Sequence, residues 1–594
     1  MAPPRIHIET QGTIEGSLDP KKHVIRFLNV PYGTVAERWR PAVKPEPWTD
    51  VRDATKQGPV CPQPRANMRY SKTINAYSQF DFDDDSTVFD EKHCLNLNIY
   101  VHEDTLKAAE TNSDTSAAVI VFVHGGGYRD GANAMDVYDG SNLVRHAQEL
   151  GKPVIVVVPN YRLNFHGNFV CPELESEIQS DPSLTTDYSR IMGNWGLQDQ
   201  RMAFDWVKDN IHKFGGQATN ITAVGQSVGA VSINYHMLIP QHRGLFQRAI
   251  MQSGAMNAAP ASRSRIEGKL YFDFLVEHFN IPQELSGKEK LELLKQVPGY
   301  ELGLVSESPL LRMFTPYVDG VIITEDVRLW IHKTDLYDHG IKAVMIGEVK
   351  DEGSLFGASI GCSTAEGWVR ITEKYCPPNE SARKKWEALY GTVNTDEEAL
   401  EASVKVVNDS VFTFPSYSAL RALSKRKDLR KSPLESEGFE LYQYYFDRNI
   451  DAVDARARLG AYHGIDPAYL FGPDLAVESV FTEKERQLSE KLQKTWILFA
   501  HGETFEKNKE HFPARISHPV DDFEYHGKEK EAFAFTAGFT VEKDHASREG
   551  KELFGFWEES EKWTSSMRDA NGGTKEGLRS GLLCIRQPGE DSWN

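Results

Sequence analysis

The chain has 594 residues, 40% hydrophobic and 26% charged, with a net charge of −19. That is ample apolar material for a large core, and the acidic excess opposes electrostatic binding to nucleic acid or an anionic membrane. No run approaches eighteen consecutive apolar residues, so no membrane-inserting span is expected, and six cysteines without C-x-x-C spacing form no zinc pattern.

Met1-Ala-Pro-Pro-Arg-Ile-His-Ile-Glu9 lacks the apolar core of a secretory leader. Ala2 and the closing Asp-Ser-Trp-Asn594 carry no common lipidation or retention signal. The expectation is a soluble cytoplasmic protein, secreted only if a leader has been removed. On that reading the sequons at Asn220, Asn379 and Asn408 are chance matches.

From residue 5 to 30, short apolar pieces alternate with turns at Gly12, Gly16 and Asp19-Pro20, which predicts an antiparallel edge ribbon. Between Cys61 and Cys94 a polar segment containing Asp81-Phe-Asp-Asp-Asp85 has no helical or strand period and reads as a long surface loop. A disulfide closing it needs an oxidising compartment; in a reducing one the two cysteines stay thiols. Leu95–Val101 reads as a strand, Ala108–Ser116 as a polar connector, and Ala117–Val123 as the strongest strand of the chain. Pro153–Val158 suits a parallel strand buried on both faces. Asp199–Lys213 puts Ala203, Val207 and Ile211 on one helical face, closed by Gly215-Gly216.

Ile221–Val224, Ala249–Ser253, Ala343–Ile346 and Phe439–Phe446 read as further strands, and helix-rich charged stretches fill 264–300, 364–430 and 482–500. The alternation of strands and helices predicts an α/β fold: a large, mainly parallel sheet flanked by helices, with the N-terminal antiparallel ribbon and helical excursions. One domain is expected over residues 1–560, followed by a polar tail, 561–594, with the composition of partly disordered chain.

Ser227 lies in Gly225-Gln-Ser-Val-Gly229, between the strand at 221–224 and a helix from Val228 that Pro240 stops. Glycines two before and two after a serine at a strand-to-helix turn are the pattern of a nucleophile elbow. The strand at 117–123 breaks into His124-Gly-Gly-Gly-Tyr128, whose unhindered backbone N–H groups suit an oxyanion. A serine needs a base, and the base needs an orienting group, in the chain order Ser, Asp or Glu, His. Asp351-Glu-Gly-Ser354 follows one strand and Tyr462-His-Gly464 follows another. Spacing does not choose between Asp351 and Glu352, and His463 is one histidine among several.

With these pieces stand Asn29-Val-Pro-Tyr-Gly33, Cys94-Leu-Asn-Leu-Asn-Ile-Tyr100, Gly193-Asn-Trp-Gly-Leu-Gln-Asp-Gln-Arg201, Pro316-Tyr-Val-Asp-Gly320 and His463-Gly-Ile-Asp-Pro-Ala-Tyr-Leu-Phe-Gly472. In this order, from about residue 10 to 505, the chain resembles the type B carboxylesterases, the α/β-hydrolase family that includes cholinesterases and some fungal lipases. The resemblance implies Ser227, Glu352 and His463 as the catalytic triad, with Asp351 a structural neighbour. It implies an oxyanion hole of Gly126, Gly127 and Val228 N–H groups, and no cofactor or metal.

The chain also departs from the family. Val228 replaces the usual alanine, and Lys92-His93 replace acidic residues before the second cysteine, so the family's ion pair at that loop is not implied. No cysteine lies between 171 and 362, and the 61–94 loop lacks the tryptophan that holds a choline ammonium. Its acidic cluster does not suit a lipid surface. The expected partner is thus a small-molecule ester, small or medium and soluble, with Tyr128, Val228 and Phe314 on the acyl side of the pocket. The alternatives are acyl transfer or lactonisation by the same triad, and a non-catalytic binding protein on the hydrolase fold. The sequence carries no signal of oligomeric state.

Overall fold

The computed structural model describes residues 3–64, 87–111, 117–185, 190–258, 265–308, 314–356, 364–429, 438–450, 459–472 and 481–503, with short pieces at 514–516, 533–535, 556–557 and 560. The acidic run at 81–85 and the tail 561–594 lie outside the described residues.

The chain opens with β1 (Arg5–Ile8), β2 (Gly12–Glu15), β3 (Ser17–Asp19), β4 (Val24–Pro31) and β5 (Arg52–Asp53). As the turn residues predict, β1 and β2 pair antiparallel, and β5 joins β2. The large sheet adds β6 (Asn96–His102), β7 (Ala117–Val123), β8 (Val154–Pro159), β9 (Gly216–Gln226), β10 (Arg248–Gln252), β11 (Ala343–Val349), β12 (Glu440–Phe446), β13 (Ala514–Ile516) and β14 (Phe533–Phe535). Among the described residues its order is β13-β12-β11-β10-β9-β7-β8-β6-β4-β3, with β14 also on β12. From β8 through β12 every neighbouring pair is parallel.

The parallel centre explains the continuous apolar runs. Val119, Val121 and Val123 of β7 pack into one core, while Ala118, Ile120 and Phe122 pack into the other. Alternate side chains leave opposite faces of a strand, so a strand covered on both sides must be apolar throughout.

Two helices differ from expectation. The connector at 108–116 is preceded by α1 (Glu103–Glu110), which overlaps its start; Glu103 and Asp104 favour its N-terminus, but only Thr105 and Leu106 are buried. Two buried residues make too narrow a stripe to read from sequence. The helix expected from Asp199 is α2 (Trp195–Asn210), ending in a 3-10 turn closed by Gly215 at φ 90°. Its residues Trp195 through Gln200 are all buried, so the first turn carries no periodicity. There Asp199 meets Arg162 through two 2.7 Å hydrogen bonds, in a pair with 0% and 1% of its side chains exposed. Cys61 and Cys94 are buried thiols; the Cys61 thiol and burial push Cys94 well above its ordinary range. Beside Lys92-His93, Glu91 pairs with Arg38 at 2.7 Å.

Helix α3 (Val228–Leu238) is buried along its whole length. Its polar side chains must therefore be satisfied inside the protein. His236 Nε2 meets Gln200 Oε1 at 2.9 Å, so it is the protonated nitrogen; His236 Nδ1 then accepts from His242 Nδ1 at 2.7 Å. Gln200 Nε2 donates to Ser232 Oγ, which donates to Val228 O. Burial brings His236 down to about 3 and His242 well below its ordinary value, with His236 adding to the latter shift.

Because the folded value of His236 lies below the unfolded one of about 6.5, the unfolded chain binds the proton first. The stability this histidine contributes is complete above about pH 6.5 and is lost as pH falls toward 3. We expect His236 to account for about 2 kcal/mol of lost unfolding free energy between pH 8 and pH 5. Denaturant titrations at the two pH values should show a smaller loss in a His236→Gln, His242→Gln double variant; an equal loss would assign the effect to other groups.

Candidate active site

Ser227 joins β9 to α3 with φ 57° and ψ −127°, a conformation that L side chains rarely adopt. Its N–H donates to Gln252 O at 2.8 Å, and its carbonyl accepts from Val231 N at 3.0 Å. A Cβ on Gly225 would stand 2.4 Å from the Gly229 carbonyl, and one on Gly229 would stand 2.0 Å from Val123 O. The two glycines flanking the serine are therefore required by space as well as by turn geometry. Ser227 is half-buried in an otherwise buried neighbourhood.

The glycine loop after β7 lies against this turn, since a Cβ on Gly125 would come 3.0 Å from Ser227 Cβ. Gly126 and Gly127 have φ of 107° and 66°. The Gly126 carbonyl accepts from Arg129 N and Asp130 N at 3.0 and 3.1 Å. Among the described residues the N–H groups of Gly126, Gly127 and Val228 have no backbone acceptor. Tyr128 holds φ 56° and is 1% exposed, its hydroxyl on Ser232 Oγ at 2.9 Å. Phe314 is 0% exposed, packed edge-on against Phe165 at 5.0 Å.

β11 runs to Val349, and the chain then turns so that Glu352, at 0% exposure, faces inward. Glu352 Oε1 accepts from Val349 N at 3.0 Å, and Oε2 meets His463 Nδ1 at 2.6 Å. Asp351 does something else: its Oδ2 accepts from Ala461 N at 2.8 Å, and its own N–H donates to Ala461 O at 3.0 Å. The two neighbouring carboxylates, inseparable by spacing, thus divide into one that touches the histidine and one that ties down its loop.

A carboxylate accepts, so His463 carries its proton on Nδ1 and presents a lone pair at Nε2. That lone pair receives the side-chain amide of Gln226 at 3.1 Å, and among the described residues no hydrogen bond joins Ser227 Oγ to it. The ring is walled by Phe412 at 4.5 Å, from a π-helical turn at Asn408–Thr413, and by Phe356 at 5.3 Å. On the far side Asp466 Oδ2 accepts from Gln252 Nε2 at 2.6 Å and Tyr444 OH at 3.2 Å. Burial, reinforced by Glu352, pushes Asp466 up to about 6.

Sequence reasoning missed Gln226, Gln252, Phe356, Phe412 and Asp466. Three of them stand inside or beside quoted motifs, at 226, 252 and 466, but nothing local assigns them a partner. Phe412 has no local signal at all. Among the described residues no cluster of three or more His, Cys, Asp or Glu side chains could hold a metal ion, and no helix is long and apolar enough to cross a membrane.

Residues 2–525 match the carboxylesterase family. The chain is 26% identical over 551 residues to a para-nitrobenzyl esterase of Bacillus subtilis (strain 168), covering 91% of this chain and 97% of that one. It is 27% identical over 532 residues to an acetylcholinesterase of Bungarus fasciatus, covering 83% and 78%. A solved structure of PNB esterase superposes with a TM-score of 0.62 at 25% identity, over 84% of this chain and 90% of that one. The shared architecture is the α/β-hydrolase fold. With the family match spanning most of its length, the protein belongs to the carboxylesterase family of serine hydrolases.

Proposed function

We propose that the protein hydrolyses the carboxylic ester of a small or medium soluble substrate through an acyl-enzyme on Ser227. The observation that carries this reading is the 2.6 Å contact of Glu352 with His463, both buried, beside a serine held at φ 57°.

Ser227 Oγ attacks the ester carbonyl while His463 Nε2 takes its proton, and Glu352 stabilises the imidazolium that forms. The carbonyl oxygen becomes an oxyanion held by N–H groups of Gly126, Gly127 and Val228, each worth about 10²–10³ in rate. His463 returns the proton to the departing alcohol. Water then attacks the acyl-enzyme along the same path and restores the serine. Each step moves only an acyl group and protons among these residues, so the reading calls for no metal or organic cofactor.

The two relatives are named for esters with different alcohols, which supports the acyl chemistry more than any one leaving group. The absent loop tryptophan argues against a choline ester, and the acidic run at 81–85 argues for a soluble ester over a lipid.

A fluorophosphonate should label Ser227 stoichiometrically, as read by peptide mass spectrometry, and Ser227→Ala should take no label. A folded wild type that stays unlabelled would favour a binding protein instead. With a chromogenic ester, Glu352→Gln should lower kcat by about 10⁴ with little change in KM, because the amide no longer fixes the histidine tautomer. A loss under tenfold would remove Glu352 from the triad. Products formed with and without added alcohol would separate hydrolysis from acyl transfer.

A further inference from the structure

The amide that occupies His463 Nε2 belongs to the residue immediately before Ser227. Gln226 is 5% exposed, and its Oε1 lies where a Cβ on Gly125 would come within 2.6 Å, so the side chain is confined between the glycine loop and the imidazole. With Nδ1–H committed to Glu352, Nε2 has a single lone pair in the ring plane. Ser227 Oγ needs that lone pair, and the amide N–H holds it at 3.1 Å. A donor aimed at Nε2 favours the neutral ring, since an imidazolium would turn a second N–H toward it.

Resting on the esterase reading above, we propose that Gln226 is a positioning residue for the base. Its amide occupies the lone pair of His463 Nε2 in the empty site, with Nδ1–H on Glu352, and it releases Nε2 to Ser227 when an acyl ligand enters. The proton of Ser227 Oγ then moves to the freed Nε2 as the new C–O bond forms.

Of the titratable groups on the elements around His463, Glu352 touches Nδ1 and Asp466 lies within electrostatic reach of the ring; Tyr444 on β12 bonds Asp466, Asp351 binds Ala461 N, and Glu348 and Asp409 stand on β11 and the π-helical turn. Substitution at 226 leaves all of them in place. Gln226→Met keeps the length and removes the donor; Gln226→Glu replaces the donor with a carboxylate that favours imidazolium.

The test uses the full chain with ¹⁵N-labelled histidine, the His463 signals being assigned by their loss in His463→Asn. At pH 8 Nε2 should resonate as a hydrogen-bonded acceptor in the wild type and move downfield in Gln226→Met. The pH at which fluorophosphonate labelling falls to half should rise by about 1–3 units in Gln226→Glu and by less in Gln226→Met. A side chain that merely packs would change thermal stability and move neither readout. An unchanged Nε2 shift in Gln226→Met, or coincident labelling profiles, overturns the proposal. A shifted Nε2 in a wild type that takes no label would sink the esterase reading and still support Gln226 as the holder of the base.

Discussion

The backbone of Ser227 is the constraint that the rest of the structure serves. A side chain at φ 57° and ψ −127° costs about 1–3 kcal/mol and persists only where its surroundings over-determine it. Here the surroundings are two strands and a helix. β10 gives Gln252 O to the Ser227 N–H, α3 gives the Val231 N–H to its carbonyl, and Gly254 leaves that carbonyl room, since a Cβ there would lie 2.4 Å away. A shift of one residue in β9 or β10 would leave the turn without those partners.

Parallel strands make the convergence of the site possible. Gln226, Gln252, Gly347 and Tyr444 are cross-strand partners in one row, at which β9 and β10 end while β11 and β12 run two residues further. Serine, acid and histidine all follow that row in chain order, and the glycine loop follows Val123, partner of Gly225. Ligand sites in open α/β sheets form at this edge because only there do loops from distant segments meet. Gly347 lets the Tyr444 ring cross its face at 2.2 Å from where a Cβ would stand, which brings the Tyr444 hydroxyl to Asp466.

What could be read from the sequence follows from how local each determinant is. The elbow and the glycine loop are contiguous residues whose glycines answer to close neighbours or, at Gly127, to a left-handed backbone, so they were legible. The parallel strands were legible as apolar runs because burial on both faces leaves no alternation to misread. The choice of Glu352 over Asp351 was not, because it depends on β11 continuing to Val349 before the chain turns inward. α1 was hidden by its polarity, and the first turn of α2 by its uniform burial. Gln226, Gln252 and Asp466 act through partners tens to hundreds of residues away, such as the 237-residue separation of Gln226 from His463. No window of sequence contains both ends of such a contact.

Helix α3 joins stability to chemistry through a single residue. Val228 supplies the first N–H of the helix, in the position proposed for the oxyanion, and its carbonyl accepts the Ser232 hydroxyl at 2.9 Å. Ser232 also takes the hydroxyl of Tyr128, whose left-handed backbone directly follows the glycine pair. The same hydroxyl receives Gln200, and through Gln200 the two neutral histidines. The hydroxyl of Ser232, spent on Val228 O, fixes the direction of the bonds it receives from Tyr128 and Gln200. Placing a proton on His236 would turn its Nδ1 into a donor, and His242 would then have to carry its own proton on Nε2, away from the contact, inside a site where burial opposes the charge. The Ser232 hydroxyl, tied at once to Tyr128 after the glycine loop and to the first carbonyl of α3, is thus what joins the two walls.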